Sequence, residues 1–143
     1  MPETFDIETS GPVAFGFEEA PCGGFRITGT ATAAGTPIGD GGTFTTNECA
    51  KPNYETGVNQ VDGEAVVRAA GGDEIFLHYF GEAPVPDMTS GNFADDLEWT
   101  ITGGSGRFDG ATGSGRLKSH GNINDDPCIV EAHLHGTIAL QSG

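Results

Sequence analysis

The chain has 143 residues, of which 36% are hydrophobic, so it is long enough to form one domain around a single core. Its 21 Asp and Glu residues outnumber six Lys and Arg, and the formal charge of −15 excludes nucleic acid and anionic membranes as partners, because binding phosphates needs clustered cations. No segment is apolar for long enough to span a bilayer, and the first residues lack a secretory signal, so we expect a soluble protein, cytoplasmic or secreted after removal of a signal.

Strand signals follow one another along the chain, with little helical periodicity between them. Gly, Pro, Asp and Asn separate each strand from the next. Eight strands are predicted, at residues 11–17, 24–34, 43–48, 63–70, 74–81, 94–103, 107–119 and 128–140. Because such short connections favour antiparallel neighbours, we predict one all-β domain over residues 1–143, an eight-stranded antiparallel up-and-down barrel.

Cysteines flank the second and third predicted strands. Cys22 precedes the second strand and Cys49 follows the third, so a hairpin would bring both to the same end of the barrel. We predict a Cys22–Cys49 disulfide that leaves Cys128 as a free thiol, whereas in a reducing compartment all three would be thiols. The spacings do not match those of a structural zinc site.

The fifth and sixth predicted strands carry aromatic side chains suited to a barrel interior. Inside an apolar cavity, Tyr79 could donate a hydrogen bond to a ligand oxygen. A buried Glu would have a raised pKa and could act as a general acid, and Glu64 and Glu98 are the candidates. The residues expected to line the ligand pocket are Phe76, Leu77, Leu97, Trp99, Ile101, Phe108 and Leu134.

A glycine-rich segment, TITGGSGRFDGATGSGRL at residues 100–117, follows the sixth strand. Its first glycines permit the positive φ of a tight hairpin turn, and Phe108 is suited to plug the end of a barrel. The segment resembles the I-T-G-G-S-G-x-F-x-G-x-x-G hairpin of plant allene oxide cyclases. It is also similar to the G-G-T-G-x-F-x-x-A-x-G run of dirigent proteins and to a run found in small bacterial barrels.

The eighth predicted strand places Leu134 on an inner face and Glu131, His133 and His135 on the opposite face. Two His at this spacing beside a carboxylate can bind a metal ion, and His78 could add a ligand only if its strand were adjacent. In a meander the fifth and eighth strands are not neighbours. We therefore expect a solvated face or a subunit contact there, and we predict no metal and no cofactor.

The resemblance to allene oxide cyclases and dirigent proteins implies a barrel with an apolar central cavity that assembles as a homo-oligomer, a dimer or trimer. It identifies no catalytic residue in this chain. Our first hypothesis is a cofactor-free isomerase or cyclase for a small apolar substrate. The alternatives are a lipocalin-like barrel that binds an apolar ligand without chemistry and a filled structural barrel. A buried carboxylate or Tyr facing a cavity would favour the enzyme.

Overall fold

The computed structural model describes residues 3–16, 24–87, 89–125 and 127–140 of the chain. Strands form most of this part, and a 3-10 helical turn, Gly106–Phe108, lies between the sixth and seventh strands. The strands are β1 (Glu3–Gly16), β2 (Phe25–Thr36), β3 (Gly39–Asn53), β4 (Val58–Arg68), β5 (Glu74–Pro84), β6 (Asn92–Gly104), β7 (Thr112–Asn122) and β8 (Cys128–Ala139).

Each strand pairs antiparallel with the next, and β1 also pairs with β8, so the sheet closes into a barrel. The β1–β8 register runs from Glu3 opposite Ile138 to Val13 opposite Cys128. Closure leaves no edge strand among the eight, which removes the usual site of edge-to-edge aggregation. The predicted eight-stranded antiparallel up-and-down barrel is therefore confirmed.

Several strands are longer than the sequence predicts. β1 begins at Glu3 rather than at residue 11, because Phe5, Ile7 and Thr9 face the interior in alternation with exposed polar residues. β3 continues to Asn53 instead of ending at residue 48, and it pairs with β4 along that extension. Pro52 in this extension does not interrupt the pairing with β4, in which it lies opposite Asn59.

The hairpin between β6 and β7 is present, but its seventh strand begins at Thr112 rather than at residue 107. The 3-10 turn occupies the intervening residues. Gly106 there has φ of +61°, and an added Cβ would lie 2.0 Å from Oδ1 of Asp73, so the position requires glycine. The turn inserts Phe108 into the end of the barrel with none of the residue exposed, as predicted.

Large side chains fill the end of the barrel at which the β2–β3, β4–β5 and β6–β7 connections lie, and we call this the packed end. The rings of Phe5 and Trp99 are both fully buried, with centroids 4.5 Å apart. The Trp99 indole N–H donates to the carbonyl oxygen of Arg116 at 3.0 Å, so its one polar group is satisfied. Around this pair lie Ile7, Val67, Ile75, Leu77, Phe108, Leu134 and Ile138.

Cys49 and Cys128 lie towards the other end of the barrel. Cys49 is disulfide-bonded, and Cys128 is a buried free thiol. This agrees with the predicted roles of these two residues. The predicted partner of Cys49, Cys22, lies outside the described residues.

Candidate functional site

A cavity of about 110 Å³ occupies the end of the barrel opposite the packed end, and we call this the open end. The β3–β4, β5–β6 and β7–β8 connections lie there. Most of the lining is apolar and includes Ile27, Phe44, Phe93, Leu97, Leu117 and Val130. The polar side chains in the lining include Thr46, Glu48, Asn59, Tyr79, Asp95 and Ser119.

Tyr79 and Glu48 form a hydrogen-bonded pair in this lining. The strand register places Glu48 of β3 and Tyr79 of β5 opposite the same residue of β4, Gly63. The phenol hydroxyl of Tyr79 reaches across β4 and donates to Oε1 of Glu48 at 3.0 Å. The side chain of Thr46, two residues before Glu48 on the same face of β3, also hydrogen-bonds Tyr79. Both side chains of the pair are therefore held in fixed orientations.

Gly63 provides the space for this contact. A Cβ added at this position would lie 2.3 Å from Cζ and 2.6 Å from the hydroxyl oxygen of Tyr79. These distances are far below van der Waals contact, so any side chain at residue 63 would displace the ring. The absence of a side chain on β4 thus allows residues from β3 and β5 to meet.

Burial changes the acidity of three groups in the cavity. Loss of hydration raises the pKa of Glu48 to about 7; the hydrogen bond from Tyr79 opposes this rise, and the charge of Asp95 adds to it. Loss of hydration also raises the pKa of Asp95 to about 6. The pKa of Tyr79 is raised well above its ordinary value by burial and by the neighbouring Glu48 charge, so Tyr79 stays protonated and acts as a donor.

The cationic side chains of the chain do not neutralise these carboxyls. All six Lys and Arg and all four His lie within the described residues, and none of them lines the cavity. Several of these side chains have partners elsewhere: on the outer wall Arg116 pairs with Asp96 and Glu98, His78 with Asp62 and His133 with Asp6, and Arg107 pairs with Asp73 in the connections at the packed end. The cavity is consequently acidic as well as largely apolar.

The structure corrects the sequence-based choice of carboxylates. Tyr79 faces the cavity as expected, but Glu64 and Glu98 are exposed on the outer wall, and Glu98 pairs with Arg116 at 3.1 Å. Glu98 alternates with the buried Trp99, so strand periodicity turns it outwards. Glu48 and Asp95 were missed, although Glu48 shares a strand face with Phe44, and Asp95 shares one with Leu97 and Trp99.

The predicted pocket residues divide between three places. Leu97 lines the cavity. Leu77, Trp99, Phe108 and Leu134 are buried in the packed end, and the half-buried Ile101 packs against them, because side chains of this size leave no free space at that level. Phe76 alternates with the buried Ile75 and Leu77 and lies on the outer wall, half-buried.

The three histidines considered as metal ligands lie on the outer wall. The ring centroids of His133 and His135 are 5.5 Å apart there, whereas His78 lies on β5, which is not a neighbour of β8. Among the described residues, no three His, Cys, Asp or Glu side chains form a group that could hold a metal ion. The same part of the chain contains no helix with the length and hydrophobicity needed to cross a membrane.

Comparison with known proteins identifies no relative of this chain. The chain matches no protein-family model, and no curated protein sequence is significantly similar to it. The relationship to allene oxide cyclases and dirigent proteins therefore stays a prediction from the residue 100–117 hairpin.

Proposed function

We propose that the chain is a cofactor-free isomerase or cyclase that acts on a small, largely apolar substrate in the open-end cavity, with Glu48 as the proton-transfer group. One observation carries this proposal: a buried carboxyl, oriented by the Tyr79 hydroxyl, faces an apolar cavity large enough for part of a substrate. A cavity intended only to hold an apolar molecule would not need a carboxyl, whose burial costs free energy.

The chemistry of Glu48 fits a proton shift. With a pKa of about 7, the carboxyl is present in both protonation states near neutral pH, so it can accept a proton and return it. In the simplest reaction, the carboxylate removes a proton from carbon next to a carbonyl, and the same proton is returned to a different carbon. The Tyr79 hydroxyl acts as a positioning group, because its hydrogen bond fixes the carboxylate and favours the ionised form.

The cavity volume limits the part of the substrate that is enclosed. An apolar protein cavity of about 150 Å³ holds one benzene molecule, so a volume of about 110 Å³ encloses a short branched chain or part of a six-membered ring. Typical ligand pockets are larger, roughly 300 Å³ and above. A longer substrate would place one end beside Glu48 and extend through the mouth of the cavity.

A binding barrel without chemistry is the second candidate, because most of the lining is apolar. A completely filled barrel is disfavoured, since only the packed end is filled.

The proposal is tested with 3-cyclohexen-1-one, a ring ketone of benzene-like size that isomerises to the conjugated 2-cyclohexen-1-one by a proton shift. Formation of the conjugated product is followed by its ultraviolet absorbance. We expect the wild-type protein to accelerate the reaction and Glu48→Gln to lose roughly 100-fold or more of that acceleration, as is typical when a general base is removed. Glu64→Gln, which makes the same change on the outer wall, should retain it. Equal rates for wild type and Glu48→Gln would contradict the enzyme proposal and favour the binding barrel.

A further inference from the structure

We infer that the cavity selects an amine: its substrate or ligand has a small apolar body carrying one protonated amino group, and Asp95 is the counterion of that group. The inference rests on the proposed function, because it names the substrate class of the same cavity. It assigns separate roles to the two carboxyls, with Asp95 binding the ammonium group and Glu48 transferring the proton.

Asp95 is the carboxyl that lacks a partner. Within the described residues, no group of the protein forms a hydrogen bond or ion pair with its side chain, whereas Glu48 already accepts a hydrogen bond from Tyr79. Asp95 lies opposite Ser119 of β7, and both residues line the cavity. A largely buried carboxylate is normally paired, because leaving it without a counter-charge costs several kcal/mol. A ligand cation would provide the pairing that the chain does not.

Asn59 supplies an independent indication that the missing group is a hydrogen-bond donor. Asn59 lines the same cavity, and its Oδ1 atom is completely buried without a hydrogen-bond partner. Buried polar atoms are nearly always satisfied, so an exception beside a cavity calls for a donor from outside the chain, a water molecule or a ligand. The carboxylate of Asp95 and the amide oxygen of Asn59 thus both lack donors in the described part of the chain, and no Lys, Arg or His side chain lines the cavity.

An ammonium group matches these requirements better than other polar groups do. It has three N–H donors and no acceptor, so it can satisfy several oxygens at once. The rings of Phe44, Phe93 and Tyr79 in the lining can stabilise a cation through their faces. A hydroxyl would leave the carboxylate charge uncompensated, and an anion would be repelled by it. The net charge of −15 additionally concentrates cations around the molecule.

The test compares cyclohexylamine with cyclohexanol, which has the same ring and number of heavy atoms but no charge. Each is titrated into the full-length protein at about pH 8, and binding is followed by amide chemical shifts in nuclear magnetic resonance spectra. Alkyl amines remain protonated at this pH, as the Lys side chain does. We expect the amine to bind at least tenfold more tightly, since hydrogen bonds to charged groups are substantially stronger than neutral ones.

At about pH 5, where Asp95 with its pKa of about 6 is mostly protonated, amine affinity should fall about tenfold.

The matched variants are Asp95→Asn and Asp96→Asn, adjacent residues that face the cavity and the outer wall respectively. Both remove one negative charge, but only Asp95→Asn should weaken amine binding by about tenfold, and the dispersion of the amide spectrum verifies folding of each. The inference is overturned if cyclohexanol binds as tightly as the amine, or if the two variants weaken binding equally, which would indicate attraction to the acidic surface alone.

The two proposals can fail separately. Glu48-dependent isomerisation of the ketone without selective amine binding would overturn the amine inference and leave the enzyme proposal intact. Selective, Asp95-dependent amine binding without Glu48-dependent isomerisation would support the inference and identify the chain as an amine-binding barrel.

Discussion

The packed end and the open end are built from the same eight strands, yet only one of them has free space inside. At the packed end, the rings of Phe5 and Trp99 pack against each other, and Phe108 belongs to the same buried cluster. At the open end, small residues such as Gly29 and Ala31 occupy part of the lining. The number of strands sets the barrel diameter, but side-chain volume at each level decides whether that diameter encloses a core or a cavity.

The two ends also differ in charge. The side chains named above at the packed end are not ionisable, whereas the cavity at the open end is lined by Glu48, Tyr79 and Asp95. Buried carboxyls without a cation lower the stability of the fold. Such a cost is typical of functional sites, so the comparison separates a packed half of the barrel from the half in which we propose the active site.

The largest expected effect on stability comes from replacing a large side chain of the packed end by a small one. Trp99→Ala should lower the free energy of unfolding by about 3–5 kcal/mol, because it leaves a cavity beside Phe5. Phe93→Ala, at the half-buried lining of the open end, should cost clearly less. Urea denaturation of both variants provides the measurement. Equal costs would contradict the division of the barrel into a stabilising packed end and an open end that contributes less to stability.

The second prediction uses pH to test the difference in buried charge between the two ends. The pKa of Glu48 rises from 4.5 to about 7 on folding, so the folded state binds its proton more tightly than the unfolded state does. As the pH increases from about 4.5 to 7, the folded protein loses this advantage, by on the order of 3 kcal/mol. Glu48→Gln does not titrate and should therefore become increasingly more stable than wild type over this range.

Urea midpoints of wild type, Glu48→Gln and the outer-wall control Glu64→Gln, measured from about pH 4 to 8, test this expectation. General self-repulsion of the acidic surface acts on all three proteins and cancels in the difference. A constant difference between wild type and Glu48→Gln across the range would show that Glu48 titrates normally.

The sequence predicts the arrangement of the strands better than it predicts the candidate site in the open-end cavity, for a physical reason. Alternation and turn residues depend only on local sequence. They suffice to predict the eight strands, the position of Phe108 at the end of the barrel, and the outward orientation of His133 and His135. Alternation also identifies which residues share a face, so it places Asp95 with Trp99. It does not give the stagger between strands, and the stagger decides which inward-facing residues meet.

The Glu48–Tyr79 contact depends on that stagger. Both residues lie opposite Gly63 only because β3, β4 and β5 pair in this register. Shifting the register by one residue would turn Glu48 outwards. Likewise, Leu77, Trp99 and Leu134 belong to the inner face as expected, but only the summed side-chain volume at their level shows that they form a solid core rather than a pocket wall.

The smallest expected effect on stability comes from a substitution at Gly63, over which the side chains of Glu48 and Tyr79 meet. Gly63→Ala should force the Tyr79 ring away from β4 and break its hydrogen bond with Glu48, at a cost of about 1–3 kcal/mol, the usual range for overpacking. Because that hydrogen bond lowers the pKa of Glu48, its loss should raise the pKa further, which carboxyl chemical shifts can follow during a pH titration. Gly71→Ala is the control, since an added Cβ there has no neighbour within 4 Å. If Gly63→Ala leaves the titration of Glu48 unchanged while Gly71→Ala is neutral, the open end does not rely on Tyr79 to hold its carboxylate.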